Sequence, residues 1–249
     1  MMQPGIVNIA RRFRGPPNSA NGGYACGRLA AFIDGCAEVT LHRPPPLEKD
    51  LVVTREADEQ VALYDGSDLI ATARAAELAV TQERSPTHVE ATAASSRTFD
   101  VAMHKLPMCF VCGPDRTPGD GLRIFCGPLA ADDTDWRGTV AAPWVPEPYT
   151  AGDDNSVRPE FVWAALDCPT AYAAGSPAGF PTILLGRQTV RILRLPKVGE
   201  GCVVTAQLAG HEGRKYLATA ALFGADGRAI AACKATWIEV QRDVQLGAA

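Results

Sequence analysis

Apolar positions recur at helical spacing in two segments that lie far apart in the chain. Residues 21–33 (NGGYACGRLAAFI) predict a first helix, which Asn21 or Ser19 can cap. Residues 159–174 (PEFVWAALDCPTAYAA) predict a second helix, which has proline at its first position and glycine after its end. The chain therefore contains two candidate core helices.

Runs rich in β-forming residues follow each of these helices, and glycine-containing turns separate them. After the first helix they cover residues 38–59, 60–65 and 68–78, with Asp65-Gly66 as a hairpin turn. After the second helix they cover residues 187–210, 215–227 and 228–240, with Asp226-Gly227 as the matching turn. Both halves therefore predict a helix followed by an antiparallel meander.

The two halves also align in register. The segment VTLHRPPPLEKDLVVT, which begins at Val39, aligns with VRILRLPKVGEGCVVT, which begins at Val190, with six identities in sixteen positions. Six identities are weak evidence alone, but the shared order of helix, proline-bearing strand, Asp-Gly turn and last strand indicates an internal duplication.

The segment between the halves predicts a connection followed by further strands. Residues 85–96 predict a linker helix, residues 122–126 (LRIFC) and 136–143 (WRGTVAAP) predict strands, and an acidic loop leads into the second helix. We therefore divide the chain into an N-terminal repeat (1–84), a linker (85–105) and a C-terminal repeat (106–243).

Composition narrows the class of protein. The 249 residues are 47% hydrophobic and 21% charged, with a formal net charge of -4 and no long run of Lys or Arg. This excludes an obvious nucleic-acid surface, and no apolar stretch reaches the length of a signal peptide or a membrane span. We expect a soluble, cytoplasmic protein with no nucleic-acid or membrane partner, whose eight scattered cysteines are buried free thiols.

Asp167 is the first candidate for chemistry, because it lies between Leu166 and Cys168 in a strongly apolar helix. An unpaired carboxylate is costly there, so the side chain needs a partner or a task. It can orient or deprotonate a water molecule. Alternatively, it binds neighbouring backbone where Pro169 interrupts the helix.

Gly22 and Gly23 open the first helix with unblocked N–H groups and the positive end of the helix dipole, which suits an oxygen that gains negative charge. Asn18 and Asn21 are nearby polar groups that can support this role. The alternative is that these glycines serve a tight turn or the close packing of helix against sheet.

Cys109 and Cys112 form a C-x-x-C pair, which raises zinc or redox chemistry. The nearest additional ligands in sequence, His104 and Cys126, have irregular spacing, so we favour a buried turn and expect no metal and no cofactor. Cys168 could be a nucleophile, but no histidine lies near it in sequence, and we favour a buried thiol.

Several of these motifs resemble the hotdog thioesterase superfamily in its double-hotdog form. Its members often carry His-Gly-Gly at the start of the central helix, a carboxylate about nine residues later and a proline-rich bend. Here Asn21-Gly22-Gly23 is followed by the bend at residues 43–46, and Asp167 lies nine residues after Arg158. The segment CFVCGPDRTPGDGL likewise resembles one found in related thioesterases. Ala30 and Ala31 stand where the first helix would carry its carboxylate.

The resemblance implies an α+β fold of two tandem hotdog folds, each a curved antiparallel sheet wrapped around a central helix, joined edge to edge in one sheet. It implies a thioesterase that hydrolyses an acyl-CoA or similar acyl thioester, at one site per chain, with a possible homodimer of chains. Asp167 would position water, and Gly22, Gly23 and Asn21 would hold the oxyanion. The expected substrate-binding residues are Asn18, Glu160, Arg194 and Arg43, the arginines through CoA phosphates.

Two other functions stay open on the same scaffold. The missing histidine of His-Gly-Gly and the two alanines of the first helix favour a non-catalytic acyl-CoA binding or sensing protein. An enoyl-thioester hydratase or dehydratase ranks third, because such enzymes pair Asp with a nearby His that this helix lacks.

Overall fold

The computed structural model describes residues 5–56, 59–80 and 85–240. Three α-helices and a single antiparallel sheet form the described part of the chain. The helices are α1 (Gly22–Ala30), α2 (His88–Ser95) and α3 (Pro159–Tyr172). The strands are β1 (Gly5–Val7), β2 (Ala37–Leu41), β3 (Leu51–Arg55), β4 (Val61–Asp65), β5 (Asp68–Ala75), β6 (Gly127–Pro128), β7 (Val140–Trp144), β8 (Ile183–Ile192), β9 (Cys202–Glu212), β10 (Lys215–Phe223) and β11 (Ala229–Glu239).

The eleven strands follow the order β1-β3-β4-β5-β2-β8-β11-β10-β9-β7-β6. The strands before the linker therefore occupy one side of the sheet and the later strands occupy the other. They join where β2 pairs with β8, from Ala37 opposite Val190 to Thr40 opposite Arg187. The expected edge-to-edge union into a continuous sheet is present.

Helix α1 packs directly against α3, and two glycines one turn apart allow the close approach. A Cβ atom on Gly27 would lie 2.6 Å from Glu160 Cα, and one on Gly23 would lie 2.8 Å from the Trp163 carbonyl oxygen. Since the obstructing atoms are mostly backbone or Cβ atoms, a side chain at either position would push the helices apart.

The predicted helices are present, with shorter ends than the sequence pattern indicated. The first helix ends at Ala30 rather than residue 33, and the second ends at Tyr172 rather than residue 174. Pro169 lies inside α3 without ending it. The linker helix α2 is also present and is closed by a capping box in which Thr87 and Glu90 each bind the other's backbone N–H.

The prediction of a strand at residues 122–126 is wrong. This run is irregular, and only Gly127–Pro128 pairs as β6. It is apolar because it is buried: the N–H groups of Leu122 and Ile124 donate to the carbonyls of Phe110 and Val111, outside any strand ladder. The strand predicted at residues 136–143 begins later, at Val140. The short strand β1 was not predicted.

The division of the chain at residues 84 and 105 stays a prediction, and residues 1–4, 57–58, 81–84 and 241–243 of the proposed segments lie outside the described residues. None of the helices in the described part is long and apolar enough to cross a lipid bilayer.

Candidate active site

A cavity of about 320 Å³ lies between the two halves of the chain, beside the start of α1 and the middle of α3. Polar residues from both halves line it, together with apolar side chains from β2 and β8. Six of the lining residues are candidates for the chemistry: Asn21, Gly22, Cys109, Cys112, Asp167 and Cys168. Apolar walls with a few convergent polar groups are typical of small-molecule sites.

Asp167 is buried at 1% exposure, and its two carboxylate oxygens have different environments. Oδ2 accepts hydrogen bonds from Asn21 Nδ2 at 2.7 Å and from the Gly23 backbone N–H at 3.1 Å. Oδ1 has no hydrogen-bond partner among the described residues. The carboxylate is therefore held in one orientation and keeps one acceptor oxygen for another molecule.

Burial raises the pKa of Asp167 to about 7, because the charged form loses its hydration. The hydrogen bond from the Gly23 N–H lowers this pKa, the charge of Cys109 raises it, and the bond from Asn21 lowers it. A carboxyl group with such a pKa can exchange a proton near neutral pH, which a surface aspartate does poorly.

Asn21 connects the start of α1 to Asp167. Its Oδ1 accepts the Tyr24 N–H at 2.9 Å as the N-cap of the helix, while its Nδ2 donates to Asp167. Only a side chain with both an acceptor and a donor can make these two bonds. An aspartate would keep the cap but would place a second carboxylate against Asp167.

The backbone N–H groups of the two glycines have different environments in the structure. The Gly23 N–H donates to Asp167, so it is occupied. Gly22 lines the cavity, and its N–H meets no acceptor within the described ranges. A Cβ on Gly22 would lie 2.9 Å from Leu185 Cβ, so the helix start lies close to β8. Of the expected pair of free amides, only that of Gly22 is available to a ligand.

Three cysteine thiols meet beside Asp167. The Sγ atoms of Cys109, Cys112 and Cys168 lie within 4.8 Å of one another, and those of Cys109 and Cys168 are 3.7 Å apart. In the sequence, the nearest further candidate ligands for Cys109 and Cys112 were His104 and Cys126, whose irregular spacing argued against a metal site. Neither belongs to this group of sulfur atoms. The third member comes from α3, and its neighbour Asp167 was the signal that could have placed it at the site.

Hydrogen bonds hold the pKa of the Cys109 thiol well below its usual value. The thiols of Cys112 and Cys168 contribute most, and the backbone N–H groups of Cys112 and Val111 add to the effect against the cost of burial. The contact with the Cys109 thiol in turn raises the pKa values of Cys112 and Cys168. Because the three thiols share these contacts, they titrate as one group.

Arg43 is the one expected substrate-binding residue that lines the cavity. Its side chain is about half exposed and pairs with Asp68 at 3.3 Å. Arg214, in the turn between β9 and β10, also lines the cavity, is exposed, and pairs with no carboxylate in the part of the chain that the structure describes. Arg214 was not predicted, because an arginine in a turn carries no local signal in the sequence.

The other expected binding residues lie elsewhere. Asn18 is exposed and does not line the cavity. Glu160 pairs with Arg158 at 3.5 Å in the first turn of α3, against α1. Arg194 pairs with Glu200 at 2.7 Å, outside the cavity. The structure therefore brings together Asn21, Gly22, Gly23, Asp167 and Arg43, and leaves these three apart.

No sequence-family profile matches the chain, and no curated protein sequence matches it. The chain does match solved structures in fold. A hot dog fold protein of unknown function from Alicyclobacillus acidocaldarius has a TM-score of 0.65 at 11% identity, over 96% of this chain and 94% of that one. The tesB protein of Mycobacterium avium subspecies paratuberculosis has a TM-score of 0.62 at 12% identity, over 96% of this chain and 93% of that one. A provisionally named thioesterase II from Thermobifida fusca has a TM-score of 0.62 at 15% identity, over 97% of this chain and 94% of that one.

Proposed function

We propose that this chain, which has the hotdog fold, is a thioesterase that hydrolyses an acyl-CoA or a similar acyl thioester. The neighbour in fold from Thermobifida fusca carries a thioesterase name, which supports the class of reaction. The observation that carries the proposal is the orientation of Asp167: one oxygen is fixed by two donors, and the other is unbonded beside the cavity.

In the proposed reaction, Asp167 Oδ1 takes a proton from a water molecule while the water oxygen bonds to the thioester carbonyl carbon. The carbonyl oxygen gains negative charge, and the Gly22 N–H at the start of α1 stabilises it. The C–S bond then breaks, and the thiolate leaves with the proton held by Asp167. The products are a carboxylic acid and a thiol, and the carboxylate of Asp167 is restored.

The lining of the cavity suits the two ends of such a substrate. Leu41, Leu185 and Phe180 offer apolar contact for an acyl group, and each buried CH₂ contributes about 0.8 kcal/mol. The exposed guanidinium groups of Arg43 and Arg214 can bind the phosphates of a CoA-like carrier.

The proposal includes a tandem origin of the two halves. The topology supports it, because each half contributes one core helix and a set of consecutive antiparallel strands. The halves are unequal at the site: α1 contributes Asn21 and the glycine amides, and α3 contributes the carboxylate. One working site per chain is expected.

The test is thiol release from acyl-CoAs of increasing chain length by wild-type protein and by Asp167→Asn. The amide keeps the volume and an acceptor for Asn21 and Gly23, so fold and binding should be retained. Loss of the proton acceptor should reduce kcat by roughly 10² to 10⁴. Asp154→Asn, in an exposed loop, is the control and should keep wild-type turnover. Near-wild-type turnover of Asp167→Asn would remove this residue from the mechanism.

A non-catalytic acyl-CoA binding protein is the second candidate, and the hydrogen bond from the Gly23 N–H favours it. This bond engages an amide that an oxyanion would otherwise use. Isothermal titration separates the two functions: micromolar or tighter binding of acyl-CoA with no thiol released by the wild-type protein would establish the binder.

A further inference from the structure

Cys109, Cys112 and Cys168 come from two distant segments, the loop before β6 and the middle of helix α3, and meet at the wall of the cavity. We propose that these three thiols form a binding site for a thiophilic divalent cation of the zinc class. The inference does not require the proposed hydrolysis, because it starts from the positions of the sulfur atoms and its test measures metal binding rather than turnover.

The spacing of the sulfur atoms fits tetrahedral coordination. With Zn–S bonds of about 2.3 Å, the sulfur atoms of a tetrahedral site lie about 3.8 Å apart. Cys109 Sγ and Cys168 Sγ already lie 3.7 Å apart, and Cys112 Sγ lies within 4.8 Å of both. A shift of about 1 Å, within the reach of a side-chain rotation, would bring the third sulfur to the distance that zinc requires.

The loop that carries Cys109 and Cys112 is fixed by its backbone. The Gly113 N–H donates to the Cys109 carbonyl at 2.9 Å, and a Cβ on Gly113 would lie 2.5 Å from that oxygen. The carbonyls of the two residues between the cysteines accept bonds from the irregular segment after them. The two thiols are therefore held in position before any ligand binds, which reduces the entropy lost on binding.

The surroundings supply donors for thiolate charge. Asn21 Nδ2 lies 3.9 Å from the sulfur atoms of both Cys109 and Cys168. Groups that orient and polarise the ligands in this way are a regular part of metal sites.

Three protein ligands leave a fourth coordination position for water. The unbonded Oδ1 of Asp167 is an acceptor that such a water can use, because Asp167 directly precedes Cys168 in α3 and lines the same cavity as the three thiols. The proposed cation therefore accounts for two features at once: the convergence of three thiols and a buried carboxylate oxygen without a partner.

The experiment uses the full chain, reduced and freed of metal with a chelator, and titrates it with Co²⁺ and then with Zn²⁺. The expected result is one Co²⁺ per chain, with thiolate-to-cobalt charge-transfer absorption and the visible bands of a tetrahedral ion, which Zn²⁺ then displaces. This readout needs no substitution, so it holds even if the variants below do not fold.

Cys109→Ala, Cys112→Ala and Cys168→Ala should each weaken Co²⁺ binding by more than about 100-fold, the upper range for losing an outer partner alone. Cys126→Ala is the matched control, because Cys126 is equally buried and lies outside the cluster, and its affinity should equal that of the wild type. Three outcomes would overturn the proposal: no stoichiometric cobalt in the reduced wild type, an equal loss in Cys126→Ala, or purified protein in which two of the three thiols form a disulfide that accounts for their proximity.

Discussion

Replacement of Asn21 by alanine should destabilise the protein through two separate bonds. The substitution removes the N-cap of α1, which contributes about 1 kcal/mol. It also removes one of the two hydrogen bonds to Asp167 Oδ2, and a bond to a charged group contributes about 1.5–3 kcal/mol. The expected loss is about 2.5–4 kcal/mol, or roughly 5–16 °C in Tm for a chain of this size.

The same substitution should reduce turnover, because the carboxylate would then be oriented by the Gly23 N–H alone. Misplacement of a reacting group by about 1 Å can cost about 10²-fold in rate. The assays are thermal unfolding and thiol release per folded molecule.

Thr87→Ala is the matched control for this experiment. Thr87 caps α2 and lies in the linker, outside the residues that line the cavity. Its loss should cost about 1 kcal/mol and leave turnover unchanged. If Asn21→Ala lowers Tm only as much as Thr87→Ala and retains its kcat, the bond between Asn21 and Asp167 contributes nothing and our reasoning about the site is wrong.

Three further predictions concern other parts of the molecule. Gly27→Ala should cost about 1–3 kcal/mol in thermal unfolding, because its Cβ would lie 2.6 Å from Glu160 Cα; unchanged Tm would contradict the tight helix crossing. Arg194 lowers the pKa of Glu200 from its ordinary value of 4.5 to about 2, so the ionised carboxylate stabilises the fold above pH 4.5 and this contribution is lost as pH falls towards 2. Wild type should therefore exceed Glu200→Gln in Tm at pH 7 and match it near pH 2, and a gap that persists unchanged at pH 2 would argue against the ion pair. Arg214→Ala should raise KM for acyl-CoA by roughly 2- to 5-fold at low salt without altering kcat, and an equal effect on a substrate without phosphates would exclude a phosphate contact.

Much of the fold could be predicted from local signals. Pro159 at the start of α3, Asn21 as a cap and the two Asp-Gly turns are short-range features, and the structure has helices and hairpins where they indicated. The segment at residues 122–126 could not be predicted in this way. Its apolar residues mark burial, but its hydrogen bonds go to the loop at residues 110–111 rather than to a strand.

The candidate site, too, could be predicted only in part from local sequence signals. A carboxylate in an apolar helix indicated Asp167 as a special residue, and its catalytic role stays a prediction. The partners of Asp167 could not be read from sequence, since Asn21 and Gly23 lie on the other core helix. The contact between the thiols of Cys168 and Cys109 could not be read from the sequence either, because it arises from the packing of α3 against the loop before β6.

The pairing of β2 with β8 has a consequence for synthesis of the chain. A ribosome that has produced β2 must add roughly 150 more residues before its partner exists, which takes roughly 7–30 seconds. During that time β2 is an unprotected edge strand, open to pairing with another nascent chain. Glu38, the second residue of β2, places a charge where a foreign strand would dock, and in the finished protein it pairs with Arg74 and Arg187 on the two neighbouring strands. Glu38→Val should therefore increase the fraction of the protein that aggregates during expression, while the Tm of the purified protein changes little.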